Sequence, residues 1–243
     1  MNFMKKKRLD QILIERGIVK DKNEAFITVT EGNIFIGGQK AVSPAQLHQS
    51  NVELRVKERS PYVSRGGLKL AAAFQHFSIS VEGKICADIG AATGGFTDVL
   101  LQNGAAKVYA IDTARGKLAL KLREDPRVVV MEQTNILYIE SLPEPIGYAV
   151  VDVSFTSLRL VLPALKKFLA PDAEVIVLFK PQYEVAESDL KHGIVEDENS
   201  REQALIEFVT LAESVGWSIL GRTQSPIPGT KGNIEYLLRL RLR

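Results

Sequence analysis

The sequence predicts an α/β fold in which a doubly wound, mostly parallel seven-stranded sheet follows a small N-terminal α+β domain. Three observations lead to this prediction: seven short apolar runs occur in the C-terminal part, amphipathic segments separate most of them, and the N-terminal part shows two short helical patterns followed by short strand patterns. Strands that alternate with helices normally form a parallel sheet with helices on both faces. We expect a first domain at residues 5–59, a linker at 60–66 and a second domain at 67–243.

The second domain shows its strand and helix patterns in alternation. The strand-like runs are "KICADIG", "AKVYAID", "RVVVME", "GYAVVDV", "EVIVLFK", "WSILGR" and "IEYLLRLRL". Helical spacing is found in "FTDVLLQNG", "SLRLVLPALKKFLA" and "SREQALIEFVTLAESVG". This order predicts a Rossmann-like sheet, whose ligands bind beyond the carboxyl ends of the strands, where the strand order reverses.

The first domain is predicted to combine two short helices with a small sheet. Leu9, Ile12 and Leu13 have helical spacing in "RLDQILIERG", and Asp21 with Glu24 resembles a capping box at the start of "DKNEAFITVTEG". The segment "NIFIGGQKAV" predicts a hairpin that turns at its glycine pair, and "VELRV" adds another strand. A unit of this size is marginally stable unless it docks on or binds something.

Composition excludes several classes of protein. The chain has 243 residues, 45% apolar and 25% charged, with a net charge of +2. No apolar run reaches the roughly 18 residues of a membrane helix, and the basic start leads into a charged segment rather than a signal-peptide core. Cys86 is the only cysteine, which fits a reducing compartment. His48, His76 and His192 are too scattered for a zinc site. We expect a cytoplasmic protein with no metal.

Charge is distributed unevenly along the chain. Residues 1–60 contain 11 Lys and Arg against 7 Asp and Glu, whereas the remainder contains 20 against 22. A basic segment joined to a nearly neutral one is typical of a polyanion-binding appendage on a second functional domain. Four excess charges could equally belong to a solvated surface.

The stretch "ADIGAATGGFTDVLL" has the strand–loop–helix form that carries a cofactor in such sheets. It lacks the G-x-G-x-x-G pattern with which a helix N-terminus binds a pyrophosphate. Instead Asp88 precedes Gly90, and a carboxylate there suits a ligand with an ammonium or sulfonium group. Asp112 ends the next strand, where it can hydrogen-bond ribose hydroxyls. Because Gly94 and Gly95 also allow close approach of the backbone, these features favour S-adenosylmethionine over NAD.

Four charged residues are expected where a reacting group could meet this cofactor. Asp152 follows the fourth apolar run, Lys180 follows the fifth, Glu235 opens the last, and Lys69 lies in "SRGGLKL". Each alone could be structural, as a solvated lysine, a helix cap or an edge-strand charge. Two cations and two anions around one cofactor suggest a site for chemistry.

The segment Lys7 to Lys57 resembles the RNA-binding fold named after small-subunit ribosomal protein four, the S-four-like fold. The resemblance rests on "RLDQIL", on "GNIFIGGQKA" and on the spacing between them. It implies that basic residues bind structured RNA through phosphate contacts, which carry no sequence information. The second helix departs from the fold, since only Lys20 and Lys22 stand at its entrance. The predicted RNA-binding residues are Lys5, Lys6, Lys7, Arg8, Arg16, Lys20 and Arg65.

The Lys-Asp-Lys-Glu order, with "YVSRGGLKL", "DIGAATGGFTD", "DVSFTSL", "FKPQYE" and "GNIEYLL", closely resembles the TlyA/hemolysin A family. Members of that family pair an S-four-like domain with an FtsJ-like methyltransferase domain. The resemblance implies methyl transfer from S-adenosylmethionine to a ribose 2′-hydroxyl of ribosomal RNA, at cytidine in characterised relatives. It also implies ribosomal RNA or ribosomal subunits as partners. The predicted cofactor-binding residues are Asp88, Gly90, Thr93, Gly94, Gly95, Phe96, Thr97, Asp112 and Asn135.

The chemistry of this reaction suggests a role for each of the four charged residues. The sulfonium methyl is already activated, so the enzyme has to align the hydroxyl and handle its proton. We expect Lys180 to take that proton or to stabilise the developing alkoxide. Asp152 would orient Lys180 and border the methionine part of the cofactor, and Lys69 and Glu235 would position the ribose.

Three other functions have to be weighed. An exocyclic-amine methyltransferase needs an Asn/Asp-Pro-Pro-aromatic turn, of which "KPQY" has only a proline and an aromatic residue. A non-catalytic RNA-binding or ribosome-assembly protein would not need the four charged residues. A hemolysin would need a spanning helix or a lysine-rich amphipathic helix with an aromatic apolar face, and the sequence suggests neither.

Overall fold

A computed structural model describes residues 6–30, 32–57 and 60–243 of the chain. The chain divides into two compact units, Met1–Pro61 and Tyr62–Arg243, which are described separately below. The division falls inside the predicted linker at 60–66. The exact domain limits remain predictions.

The first unit contains two helices and two small sheets. Strand β2 pairs antiparallel with both β3 and β5, and β1 pairs antiparallel with β4. One face of α1 and one of α2 cover a small core that includes Leu9, Leu13 and Ile34. The elements are β1 (Lys6–Arg8), α1 (Leu9–Glu15), α2 (Lys22–Thr30), β2 (Ile34–Ile36), β3 (Gln39–Lys40), β4 (Leu47–Gln49) and β5 (Leu54–Val56).

Local sequence explains most of the first unit. The carboxylate of Asp21 accepts a hydrogen bond from the Glu24 amide at 2.8 Å, as a helix cap does. Gly37 and Gly38 turn the β2–β3 hairpin with positive φ angles of 56° and 82°, as a two-residue turn requires. The sequence did not predict the β1–β4 pair, because "KKR" and "LHQ" lack the apolar alternation of a half-buried strand.

The second unit contains the predicted seven-stranded sheet, in the order β11-β12-β10-β9-β6-β7-β8. Strands β6 to β10 are parallel, and β12 runs antiparallel between β10 and β11. All seven predicted strands are present. The elements are α3 (Gly66–Phe77), β6 (Ile85–Ile89), α4 (Gly95–Gln102), β7 (Lys107–Ile111), α5 (Leu120–Arg123), β8 (Val128–Met131), β9 (Ile146–Val151), α6 (Leu158–Leu165), β10 (Leu169–Phe179), α7 (Glu198–Ser214), β11 (Trp217–Gln224) and β12 (Tyr236–Leu242).

The apolar run that ends β10 is buried on both faces of the sheet. Val175, Val177 and Phe179 join the core under α6 and α7, whereas Ile176 and Leu178 join the core under α3 and α4. Alternate residues of a strand point to opposite faces, so an uninterrupted apolar run is needed at the centre of the sheet. This packing holds the end of β10 in a fixed position. Across the described ranges, no helix is long and apolar enough to span a membrane.

Candidate active site

The strand order reverses between β6 and β9, and a cavity of about 250 Å³ opens at the carboxyl ends of these strands. The connections that follow these two neighbouring strands run in opposite directions along the sheet, which leaves a crevice between the two connecting loops. Residues that follow four different strands line the cavity, among them Gly90, Asp112, Asn135 and Asp152. These four predicted residues therefore share one site.

The turn after β6 requires a glycine at position 90. Gly90 has a φ of 88°, and a Cβ there would overlap the backbone carbonyl of Asp152. The Asp152 amide in turn donates to the Ile89 carbonyl at 2.9 Å. The β6 and β9 ends thus approach closely enough that only glycine fits between them. Gly94 has a φ of 95°, and a Cβ there would collide with the side chains of Leu118 and Leu122.

Asp88 lies beneath the loop and does not line the cavity. It is fully buried, and its Oδ2 accepts hydrogen bonds from the amide and the hydroxyl of Thr97 at 2.8 and 2.6 Å. Its Oδ1 has no hydrogen-bond partner, and burial raises the pKa of Asp88 to about 7. In this position Asp88 fixes the first turn of α4, and direct contact between its carboxylate and a cofactor stays a prediction.

Three other predicted loop residues also lie behind the cavity wall. Phe96 and Thr97 are buried in α4, and Gly95 begins that helix against Ser64. The Thr93 carbonyl accepts a hydrogen bond from the Ala119 amide at 3.1 Å. The three buried residues shape the loop from behind, whereas Thr93 is exposed on it. Contact between any of the four and the cofactor stays a prediction.

Asp112 and Asn135 present polar groups to the cavity. The two carboxylate oxygens of Asp112 accept from the Ala92 and Ala114 amides, each at 2.7 Å. Asn135 accepts from the Leu137 amide at 3.0 Å. These backbone bonds hold both side chains in place. Each Asp112 oxygen keeps acceptor capacity for a ligand hydroxyl.

Lys180 lies directly after β10, and its ammonium group is surrounded by one short segment. It lies 2.8 Å from Asp152 Oδ1, 2.8 Å from the Val153 carbonyl and 3.0 Å from Ser154 Oγ. All three acceptors belong to residues that line the cavity. Each hydrogen of a protonated Lys180 therefore has an acceptor, and the group is arranged as a hydrogen-bond donor at the cavity edge.

Lys69 and Glu235 form a second ion pair. The Lys69 Nζ lies 2.5 Å from Glu235 Oε2, and both side chains are buried. Phe179 pairs with Tyr236 in the sheet, so Lys180 and Glu235 are the next residues at the same sheet edge. The four predicted catalytic residues are thus arranged as two ion pairs, and both include a residue from this edge.

Asn233 holds the loop that precedes Glu235, and the sequence analysis missed it. Its Oδ1 accepts from the Val195 amide at 3.1 Å, and its Nδ2 donates to the Gly193 and Thr230 carbonyls at 2.9 and 3.1 Å. The side chain is almost fully buried. Asn233 therefore ties the chain before α7 to the turn that delivers Glu235. Only the "GTKGN" turn composition hinted at such a residue.

Phe155 is a second residue that the sequence analysis missed. It lines the cavity with 90% of its surface exposed and has a positive φ of 63°. Its ring lies 5.3 Å from that of Tyr183, and the Tyr183 ring lies 5.7 Å from Lys180 Nζ. A strained, exposed aromatic residue at a cavity mouth is typical of a ligand-contacting position.

The predicted RNA-binding residues are spread over both units. Lys7 and Arg8 pair with Glu15 and Asp10, at 2.7 and 2.6 Å. Arg16 donates to the Ser50 carbonyl at 2.8 Å. The remaining ones are exposed Lys6 and Lys20 in the first unit, exposed Arg65 before α3 in the second, and Lys5, which lies outside the described residues.

Residues 62–242 match the family described as FtsJ-like methyltransferase. The chain is 42% identical to the 16S/23S rRNA (cytidine-2′-O)-methyltransferase TlyA of Mycobacterium tuberculosis, over 96% of this chain and 89% of that one. It is 40% identical to Hemolysin A of Brachyspira hyodysenteriae, over 95% of this chain and 98% of that one. A solved structure from Streptococcus thermophilus is 41% identical with a TM-score of 0.76, and the match covers 98% of this chain and 89% of that one.

The chain belongs to the TlyA/hemolysin A family. Its second unit is an FtsJ-like methyltransferase domain, and the predictions of family and fold are confirmed. The predicted cofactor class, S-adenosylmethionine, is confirmed with the methyltransferase assignment.

The cavity of this TlyA/hemolysin A family member fits S-adenosylmethionine chemically. Asp112 offers carboxylate oxygens to ribose hydroxyls, and Asp152 offers a carboxylate to a cationic group. Gly90 lines the cavity and lets the ends of β6 and β9 approach closely there. These three residues would hold the cofactor, whose sulfonium supplies an electrophilic methyl group when bound.

Proposed function

We propose that this protein transfers the methyl group of S-adenosylmethionine to a ribose 2′-hydroxyl of ribosomal RNA, with cytidine as the target nucleoside. The single observation that carries the proposal is the ammonium of Lys180, which is held at the cavity edge by Asp152 and Ser154. The relative named a 16S/23S rRNA (cytidine-2′-O)-methyltransferase supports the nature of the acceptor.

Lys180 acts in this reaction as a fixed cation and hydrogen-bond donor. The ribose oxygen forms a bond to the methyl carbon as the methyl–sulfur bond breaks, and the hydroxyl proton leaves to a water molecule. Negative charge develops on the oxygen as this proton leaves, and a preorganised donor stabilises that charge without reorganisation. The Ser154 hydroxyl is the partner that Lys180 can most easily exchange for the substrate oxygen. It is neutral, unlike the Asp152 carboxylate, and its contact of 3.0 Å is longer than the 2.8 Å contact of the Val153 carbonyl.

The buried Lys69–Glu235 pair positions the acceptor ribose next to Lys180. Glu235 is a carboxylate that accepts hydrogen bonds, and its neighbour Lys69 fixes its orientation. The exposed ring of Phe155 offers a stacking surface for an unstacked base next to the target ribose.

The first unit supplies affinity for the RNA through its basic residues. We retain the division into an S-four-like domain at 5–59, a linker at 60–66 and a methyltransferase domain at 67–243. The partners are ribosomal RNA or a ribosomal subunit, and such a reaction takes place in the cytoplasm.

The test uses the purified full chain, S-adenosylmethionine with a labelled methyl group, and ribosomal subunits from a strain that lacks the gene. We expect label to enter ribosomal RNA and to map to a cytidine ribose. Label at a base nitrogen would replace the proposal with base methylation. RNA binding without incorporation into either subunit, or into their naked RNA, would favour the non-catalytic assembly function.

A further inference from the structure

The three-stranded sheet of the first unit has an aromatic ring between two cations on its outer face. Phe35 lies in the central strand β2, opposite Lys40 of β3 and Arg55 of β5. The Arg55 guanidinium lies over the Phe35 ring, 4.6 Å from its centre. Lys57 pairs with the backbone of Asn33 one step along the same face.

This outer face is separate from the core of the unit. Ile34 and Ile36 flank Phe35 in β2 and point to the opposite side, where they join or contact the core with Leu54. Phe35 is partly exposed, and Arg55 is exposed. The ring therefore contributes little to core packing and is accessible together with the guanidinium.

The cations of this face differ from two of those predicted to bind RNA. Lys7 and Arg8 are paired with carboxylates within the unit. Within the described part of the chain, by contrast, no carboxylate forms an ion pair with Lys40, Arg55 or Lys57. Unpaired cations have no internal partner to give up when they bind a phosphate, so they contribute more to binding a polyanion than paired ones do.

We propose that this outer face is a binding site for unpaired RNA, with a base stacked on the Phe35–Arg55 pair and phosphates bound by Lys40 and Lys57. Aromatic rings and guanidinium planes next to basic side chains are the means by which proteins bind single-stranded nucleic acid. The inference deepens the proposed function, since it names the class of RNA segment that the first unit recognises. It also adds a stacking contact to the phosphate contacts predicted from the sequence.

The experiment measures binding of the full chain to fluorescent oligouridine and to a blunt RNA duplex. We expect Phe35→Leu and Arg55→Gln each to weaken oligouridine binding by about tenfold, the loss expected for one stacked base. Lys40→Ala and Lys57→Ala should each reduce the slope of log affinity against log salt by about 0.7. Phe26→Leu is the matched control, because Phe26 is an exposed ring of the same unit that belongs to α2 and not to this sheet.

Two results would overturn the inference. The first is that Phe35→Leu and Arg55→Gln bind oligouridine as tightly as Phe26→Leu does, while their thermal unfolding is the same as that of the wild type. The other is tighter binding of the duplex than of oligouridine by the wild-type chain. Methyl transfer is assayed in parallel, so a chain that binds oligouridine through Phe35 but methylates no ribosomal RNA contradicts the proposed function and leaves this site intact.

Discussion

Lys180 and Asp152 follow neighbouring parallel strands, and the Lys180 Nζ lies 2.8 Å from Asp152 Oδ1. The register of β9 and β10, in which Val151 pairs with Val177, brings the two strand ends to the same sheet edge. Because the apolar run of β10 is buried on both faces, the lysine that follows it cannot move far. Its charge is therefore preorganised at the cavity, as electrostatic stabilisation of a transition state requires.

Substitution of Lys180 should separate its charge from its ability to accept a proton. We expect Lys180→Met to lower kcat by about a hundredfold or more while the affinity for S-adenosylmethionine changes little. Lys180→Arg keeps a permanent charge but cannot act as a base, since the guanidinium stays protonated. If Lys180 acts as a donor, the arginine variant retains activity well above that of the methionine variant in single-turnover assays.

The opposite result is equally informative. Equal loss in Lys180→Arg and Lys180→Met, with cofactor binding intact in both, would indicate that the lysine has to accept the proton. Wild-type turnover in Lys180→Met would remove the residue from the mechanism. Lys191→Met serves as a control for loss of one lysine charge, because Lys191 is exposed and lies outside the cavity.

The buried Lys69–Glu235 pair should matter for folding as well as for catalysis. Removal of one partner leaves an uncompensated buried charge, and we expect Lys69→Met or Glu235→Gln alone to lower the free energy of unfolding by about 3 kcal/mol. The double variant removes both charges and should regain most of that loss. Urea denaturation of the three variants measures these differences.

Turnover of the double variant distinguishes the two roles of the pair. Because Glu235 is proposed to hold the ribose, we expect the double variant to remain inactive although it is stable. A stable double variant with wild-type turnover would show that the pair only supports the fold.

The free energy of unfolding should depend on pH through Asp88. Burial raises the pKa of Asp88 to about 7 in the folded protein, above its ordinary value of 3.8. The protonated carboxyl group of Asp88 therefore makes its full contribution to the free energy of unfolding below about pH 4. That contribution is lost as the pH rises through 7. At about 1.4 kcal/mol for each unit, the loss is on the order of 4 kcal/mol.

Asp88→Asn removes this titration but keeps an oxygen that can accept from Thr97. We expect the variant to gain stability relative to the wild type between pH 4 and about 8, measured by urea denaturation at several pH values. Asp172→Asn changes an exposed aspartate and should follow the wild-type curve. If the free energy of unfolding of Asp88→Asn also follows the wild-type dependence on pH, Asp88 is ionised in the folded protein throughout this range.

Sequence predicted the sheet and the strand-end residues because both depend on local patterns. Uninterrupted apolar runs set the positions of the buried strands, and a polar residue directly after such a run has to lie at the sheet edge. Asp112, Asp152 and Lys180 were found in this way. The shared edge of parallel strands then brought them together without any further information.

Contacts between distant residues left no such pattern. Lys69 and Glu235 are 166 residues apart, and only the folded chain shows that they form an ion pair. The carboxylate of Asp88 and its position before the glycine loop predicted a ligand-binding residue. In the structure it lies behind the loop and accepts a hydrogen bond from the Thr97 hydroxyl. The exposure and positive φ of Phe155 depend on the turn after β9. That turn, "DVSFTS", contains no glycine, which is the residue that usually indicates a positive φ.

The ring of Phe155 should affect RNA use and leave cofactor binding unchanged. It is exposed at the cavity mouth and is in contact with Tyr183, so a base that enters the site can stack on it. We expect Phe155→Leu to lower kcat/KM for ribosomal RNA by roughly tenfold, in line with about 1–3 kcal/mol for one stacked base. The Kd for S-adenosylmethionine, measured by calorimetry, should stay within about twofold.

Tyr138→Leu is the control, because Tyr138 is another exposed ring on the cofactor side. Equal effects of the two substitutions on kcat/KM for RNA would contradict a specific stacking role for Phe155. A large loss of affinity for S-adenosylmethionine in Phe155→Leu would show that Phe155 binds the cofactor and not the RNA.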